Sequence, residues 1–185
     1  DALPISEGGF VRVAGSAGFC FGVRRATECV SRAIKEKKPG DKLFTLGKLI
    51  HNDTYLARLA AEGVEVISET DIPAAAVASD ACGGETTVFI RAHGITRETE
   101  AMLAGAAREH PHFHYVDCTC PYVRKIHRIA AENSGEGREF ILIGSADHPE
   151  VRGIMSYFTG EKHACATADE LLSSIKNKEM VKDVN

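Results

Sequence analysis

Ala17-Gly18-Phe19-Cys20-Phe21-Gly22-Val23-Arg24-Arg25-Ala26 sets one thiol between two glycines at the entrance to a helix. Upstream, Phe10-Val11-Arg12-Val13-Ala14 alternates apolar and polar residues and reads as a strand. Downstream, Val23, Ala26, Val30, Ala33 and Ile34 recur at helical spacing until Pro39-Gly40 stops the run. Cys20 is therefore expected where a strand ends and a helix begins. The partial positive charge of a helix N-terminus favours thiolate over thiol there. Gly18 and Gly22 let the backbone approach whatever the sulfur binds. A buried small residue in a tight turn would fit the same pattern.

The unit repeats along the chain. Leu43-Phe44-Thr45-Leu46 is a short strand, and Ile50-His51-Asn52-Asp53 leads into a helix carrying Leu56, Leu59 and Ala60, with Asn52 or Asp53 as its cap. Gly63 ends that helix, and Val64-Glu65-Val66-Ile67 follows as a strand. Ala74 to Glu85 reads as a variable loop or short helix. Thr87-Val88-Phe89-Ile90 runs into Arg91-Ala92-His93-Gly94, and Thr96 caps a helix to about Arg108. Tyr115-Val116 enters Asp117-Cys118-Thr119-Cys120-Pro121, where Pro121 suits the first position of a helix with Val123, Ile126, Ile129 and Ala130 on its apolar face. Phe140-Ile141-Leu142-Ile143 has the apolar run of a buried parallel strand, and His148-Pro149-Glu150 opens another helix. His163 to Ala166 and Ala168 to Lys176 suit a last strand and helix, before a polar tail.

Strands alternating with helices imply an α/β fold with parallel sheets and right-handed crossovers. Cys20, His51, His93, Cys120, His148 and Glu150 all fall at carboxyl ends of strands, the edge where open α/β sheets bind ligands. The 185 residues suffice for one large domain or two small ones, and 44% hydrophobic residues mark a globular chain. A net charge of −4 argues against a general nucleic-acid or anionic-membrane surface. No apolar run approaches the roughly 20 residues of a membrane span. Six irregularly spaced Cys do not form a disulfide framework, so a reducing cytoplasm is expected, with some thiols as ligands.

Cys118-x-Cys120 is the one close pair, and by itself a weak zinc signal. Cys20 and Cys120 hold equivalent strand-to-helix positions in different units, which favours ligands that the fold brings together, as in an iron–sulfur cluster held by distant thiolates. Cys29, Cys82 and Cys165 are expected to be structural. His51, His93 and His148 adjoin a cap, a Gly or a Pro, a setting that suits an anionic group such as phosphate. His110, His112 and His114 read as a solvated turn, and His127 and His163 as surface or satisfied core residues. A non-catalytic metal- or phosphate-binding module would use the same edge.

Ala17 to Val23, Ile50-His51-Asn52, Ala92-His93-Gly94, Thr119-Cys120-Pro121 and His148-Pro149-Glu150-Val151 occur in this order. The set closely resembles the 4-hydroxy-3-methylbut-2-enyl diphosphate reductase family of the non-mevalonate isoprenoid pathway, strongly from Val11 to about Met155. The resemblance implies small parallel sheets flanked by helices, in three pseudo-equivalent domains around a [4Fe-4S] cluster held by three Cys. Residues 1–119 and 120–185 are expected to be the first two domains, with the third absent. By resemblance Cys20 and Cys120 match two metal ligands, His51, His93 and His148 match substrate-binding residues, and Glu150 matches the acid that delivers protons. The implied reaction is reductive loss of an allylic hydroxyl, giving isopentenyl and dimethylallyl diphosphate with a ferredoxin or flavodoxin as electron donor. The third cluster Cys and a Ser/Asn-rich diphosphate loop of the family have no match here, and Cys165 is not promoted to that role.

Overall fold

The computed structural model describes residues 2–5, 9–12, 14–15 and 17–173. Its centre is a four-stranded parallel sheet: β3 (Lys42–Leu46), β4 (Val64–Ile67), β5 (Thr86–Ile90) and β6 (Phe113–Asp117), in the order β4-β3-β5-β6. The central strands alternate between two cores. Leu43 and Phe89 face one side with Ala26 and Val30 of α1 (Phe21–Glu36) and Tyr55 and Leu59 of α2 (Asp53–Ala61). Leu46, Val88 and Ile90 face the other, with Ile72 and Ala76 of α3 (Ile72–Ser79) and Leu103 of α4 (Arg97–Glu109). Helices on both faces explain why β3 and β5 are apolar on both sides.

A second, smaller sheet pairs β7 (Glu139–Ile143) with β8 (Glu161–Cys165) in parallel. Phe140 and Leu142 pack against Ala130 of α5 (Pro121–Glu132), Ile154 of α6 (Pro149–Ser156) and Phe158. Phe140 and Phe158 stack with centroids 5.1 Å apart.

Several expectations change. The strand expected over 10–14 is β2 (Gly9–Arg12), which pairs antiparallel with β1 (Ala2–Ile5) in a sheet of its own. Cys20 does not directly follow a strand of the parallel sheet and stands at the start of α1. The Ala-rich segment after Asp71 is α3, with Pro73 in its first turn. The strand over 140–143 is buried on one face only, since Ile141 and Ile143 are exposed. On α5 the buried seam is Val123, His127 and Ala130, while Ile126 and Ile129 are exposed. Residues 168–173 are helical, and the expected helix end and polar tail lie outside the described residues.

Candidate functional site

Two helices begin at the two candidate thiols. Cys20 is the N-cap of α1 and Cys120 the N-cap of α5, and neither side chain makes a capping hydrogen bond. The helices meet here because Gly22 has no side chain. A Cβ at Gly22 would lie 2.5 Å from Cys120 Sγ. Arg25 of α1 locks the junction by donating to the carbonyls of Thr119 (3.2 Å) and Asp117 (3.3 Å). Asp117 in turn accepts from Thr119 N–H at 2.9 Å and pairs with Arg124 of α5. The Asp117-Cys118-Thr119-Cys120 turn is thereby held to both helices.

The same edge carries the three histidines. His51 and His93 have ring centroids 4.7 Å apart, His93 and His148 5.8 Å, and His51 and His148 6.3 Å. They arrive on separate loops, after β3, after β5 and before α6. The loops are cross-tied. Asn52 caps α2 by accepting from Tyr55 N–H at 2.9 Å, which fixes the residue after His51. Ala92 N–H donates to Leu49 O at 3.3 Å, and Cys120 N–H donates to Ala92 O at 2.9 Å. The second bond couples the His93 loop directly to the candidate cysteine ligand.

His148 caps α6, its Nδ1 accepting from Glu150 N–H at 3.2 Å. With Nδ1 acting as acceptor, the neutral ring carries its proton on Nε2 and can donate to a ligand. Burial, then the neighbouring His51 and His148, and then Arg91, hold the pKa of His93 below its ordinary value. An anion among the rings would reverse the charge part of that shift. Glu150 is half-buried in the first turn of α6, beside His148.

The sequence left two further residues unassigned. Arg91 donates through Nε to Gly94 O at 3.1 Å, and its Nη1 lies 2.7 Å from where a Cβ on Gly47 would stand. It therefore bridges the turns that lead to His51 and His93. Arg91, Lys48 and Arg152 line an open cleft of about 640 Å³ that also borders Gly47 and Pro149. The only hint in sequence was Arg91's place beside Ala92-His93-Gly94. His127, expected on the surface or satisfied in the core, is buried with Nε2 lacking a hydrogen-bond partner. Burial, then Arg124, pushes its pKa down to about 4, so it is neutral at pH 7.

The remaining candidates stay outside the site. Burial, then the adjacent Cys29 thiol, pushes the Cys118 thiol well up, and a protonated buried thiol is a poor ligand. Cys82 bonds to Gly84 O at 2.9 Å, and Cys165 is buried. His110 pairs with Asp80, and His112 and His114 with Glu85; of the expected solvated turn only 111–112 is turn, and His114 lies on β6. Among the described residues, Glu139, Glu161 and His163 form one group close enough to hold a metal ion, on β7 and β8, with His163 already bonded to both carboxylates. The two thiols at the helix entrances are soft donors in a glycine-lined junction, and their chemistry fits iron–sulfur ligation.

Comparison with known proteins follows the same outline. A family model described as LytB protein matches residues 11–184. The 4-hydroxy-3-methylbut-2-enyl diphosphate reductase of Geobacter sulfurreducens is 38% identical over 154 residues, covering 83% of this chain and 48% of the relative. The enzyme of the same name from Desulfovibrio desulfuricans is 36% identical over 166 residues, covering 87% and 53%. A solved (E)-4-hydroxy-3-methyl-but-2-enyl diphosphate reductase, the terminal enzyme of the non-mevalonate pathway, superposes with a TM-score of 0.65 at 33% identity, over 86% of this chain and 52% of that one. The reductase structure from Plasmodium falciparum gives a TM-score of 0.68 at 28% identity, over 84% and 44%. The chain thus spans about half the length of the curated relatives it matches.

Proposed function

The chain belongs to the LytB protein family, and from that premise we propose that it serves the reductive dehydroxylation of 4-hydroxy-3-methylbut-2-enyl diphosphate to isopentenyl and dimethylallyl diphosphate. The observation that carries this reading is the convergence of His51, His93 and His148 from three loops, at the edge where Cys20 and Cys120 start two helices. The boundary between two α/β units is proposed at Cys120, with 1–119 and 120–185 as the units. Ferredoxin or flavodoxin as donor and a cytoplasmic setting go with the same reading. Among the described residues no helix is long and apolar enough to cross a membrane.

The chain's own residues divide the work. His51, His93 and His148, clustered with ring centroids 4.7–6.3 Å apart, would offer N–H donors to diphosphate oxygens. Cys20 and Cys120 would hold the [4Fe-4S] cluster together with donors beyond these two. When bound, that cluster would relay to the substrate, one at a time, two electrons from the external donor and offer a Lewis-acidic iron to the allylic hydroxyl, with one proton taken up by the departing oxygen and one by the allyl carbon. Glu150, tied to His148 through its backbone N–H, would hold the proton with which the hydroxyl leaves as water.

The test uses the 185-residue chain and inorganic diphosphate in a calorimetric titration. Binding is expected, and His93→Phe should weaken it about tenfold or more, since a charged hydrogen bond contributes about 1.5–3 kcal/mol. His112→Phe, whose ring pairs with Glu85 away from the triad, should leave affinity unchanged. Equal losses for the two variants, or no binding by the parent chain, would defeat the reading.

A further inference from the structure

His127 lies where three site-bearing segments meet. It is on α5, two turns beyond Cys120. Its ring edge faces Gly94, the residue after His93: a Cβ there would stand 2.7 Å from His127 Cε1. The same ring faces Gly153 of α6, the helix that His148 caps and that carries Glu150. A Cβ at Gly153 would lie 3.4 Å from His127 Nε2 and 3.3 Å from Ile95 O. The ring's flat face stacks on Tyr157, with centroids 4.3 Å apart and planes at 17°. Tyr157 O–H in turn donates to Glu100 of α4 at 2.8 Å. Both glycines are thus places where the backbone comes up against one imidazole.

We propose that His127 is a positioning residue whose planar ring is the wedge that fixes the His93 loop, the Cys120 helix and the His148 helix relative to one another. The inference rests on the diphosphate reading above and deepens it. It also accounts for a buried histidine with one idle nitrogen. The ring is 5% exposed and its Nε2 has no hydrogen-bond partner, so a bond at that nitrogen does not explain its presence. A thin, rigid, stackable shape does. Tetrahedral side chains of similar volume would present methyl groups where Gly94 leaves room only for a ring edge. His127 touches no ligand in this scheme, and acts by holding the three histidines at their spacing.

The experiment is calorimetric titration of the 185-residue chain with inorganic diphosphate, with near-UV circular dichroism confirming that each variant is folded. His127→Ala should weaken diphosphate binding about tenfold, comparable to losing one charged contact. His127→Phe keeps a stackable ring and should retain parental affinity. Ile126→Ala, an exposed position on the same helix, should change nothing. His127→Leu covers the case in which His127→Ala fails to fold. It keeps an apolar side chain in the buried position, yet brings branched methyl groups to where His127 Cε1 stands 2.7 Å from a Cβ on Gly94, and affinity should fall. Parental affinity in both His127→Ala and His127→Leu, or in a folded His127→Leu alone where His127→Ala does not fold, overturns the proposal while leaving the diphosphate reading intact. Loss in His127→Phe equal to that in His127→Ala overturns the wedge in favour of the ring nitrogen. A parent chain that binds no diphosphate overturns both readings together.

Discussion

Gly22→Ala puts the contact between the two thiol-bearing helices to a direct test. The added methyl would lie 2.5 Å from Cys120 Sγ and 2.9 Å from Cys120 Cβ. Non-bonded heavy atoms settle at about 3.5–4.0 Å, so α1 and the Cys120 turn must part by about 1 Å. Overpacking of this kind costs about 1–3 kcal/mol. Against it stands the helical preference of Ala over Gly, at most about 1 kcal/mol and less in a first turn. The net expectation is a destabilisation of about 0.5–2.5 kcal/mol, or a Tm fall of up to roughly 10 °C for a chain of this size. Gly105→Ala is the matched control. Gly105 lies in the middle of α4, and a Cβ there meets nothing within 4 Å. That substitution should stabilise by about 0.5–1 kcal/mol. The two changes are chemically identical and should differ in sign. Thermal melts of both variants read the difference, and iron uptake on anaerobic reconstitution reads the displaced sulfur. If Gly22→Ala raises Tm as much as Gly105→Ala does, the two helices do not meet at Cys120.

Two more expectations can be checked on the same material. The folded-state pKa of His127 is about 4, below the ordinary value of about 6.5 for an unfolded chain, so the unfolded state binds the extra proton first. Its contribution is fully present above pH 6.5 and is lost as pH falls toward 4, a swing of about 3 kcal/mol. Urea denaturation between pH 7.5 and 4.5 should show that loss, and His127→Phe should flatten it; an unchanged pH slope in the variant would remove His127 as the source. Glu150→Gln keeps the side-chain shape but lacks the acid proton, so diphosphate affinity should hold while turnover of the cluster-loaded, fully liganded enzyme falls roughly 10²–10⁴-fold. Near-normal turnover by that variant would take Glu150 out of the proton path.

Local chemistry is legible in the sequence. Asn52 and Thr96 cap their helices through side-chain oxygens, and Pro121 and Pro149 open theirs, because caps and N1 prolines depend only on neighbours in the chain. The placement of Cys20, Cys120 and the three histidines at helix entrances and strand ends was readable for the same reason. Reading failed where burial depends on what a face meets. Ile126 and Ile129 have the spacing of a core stripe, yet α5 turns His127 inward, because the two glycines and the Tyr157 ring lie on that side. Phe140 to Ile143 reads as buried on both sides, yet its small sheet has only one covered face among the described residues. The alternation of residues 10–14 gave a strand but not its partner, and the antiparallel hairpin with β1 detaches it from the parallel sheet.

The sequence by itself determined which side chains stand at helix entrances and strand ends, since 3.6- and 2-residue periodicities and capping chemistry are short-range properties. Only the tertiary structure decided that three histidines from separate loops share one space, that Gly22 admits the Cys120 sulfur, and that His127 is the buried ring between Gly94 and Gly153. Those facts depend on close packing between elements far apart in the chain, where a single methyl group decides whether two backbones can approach.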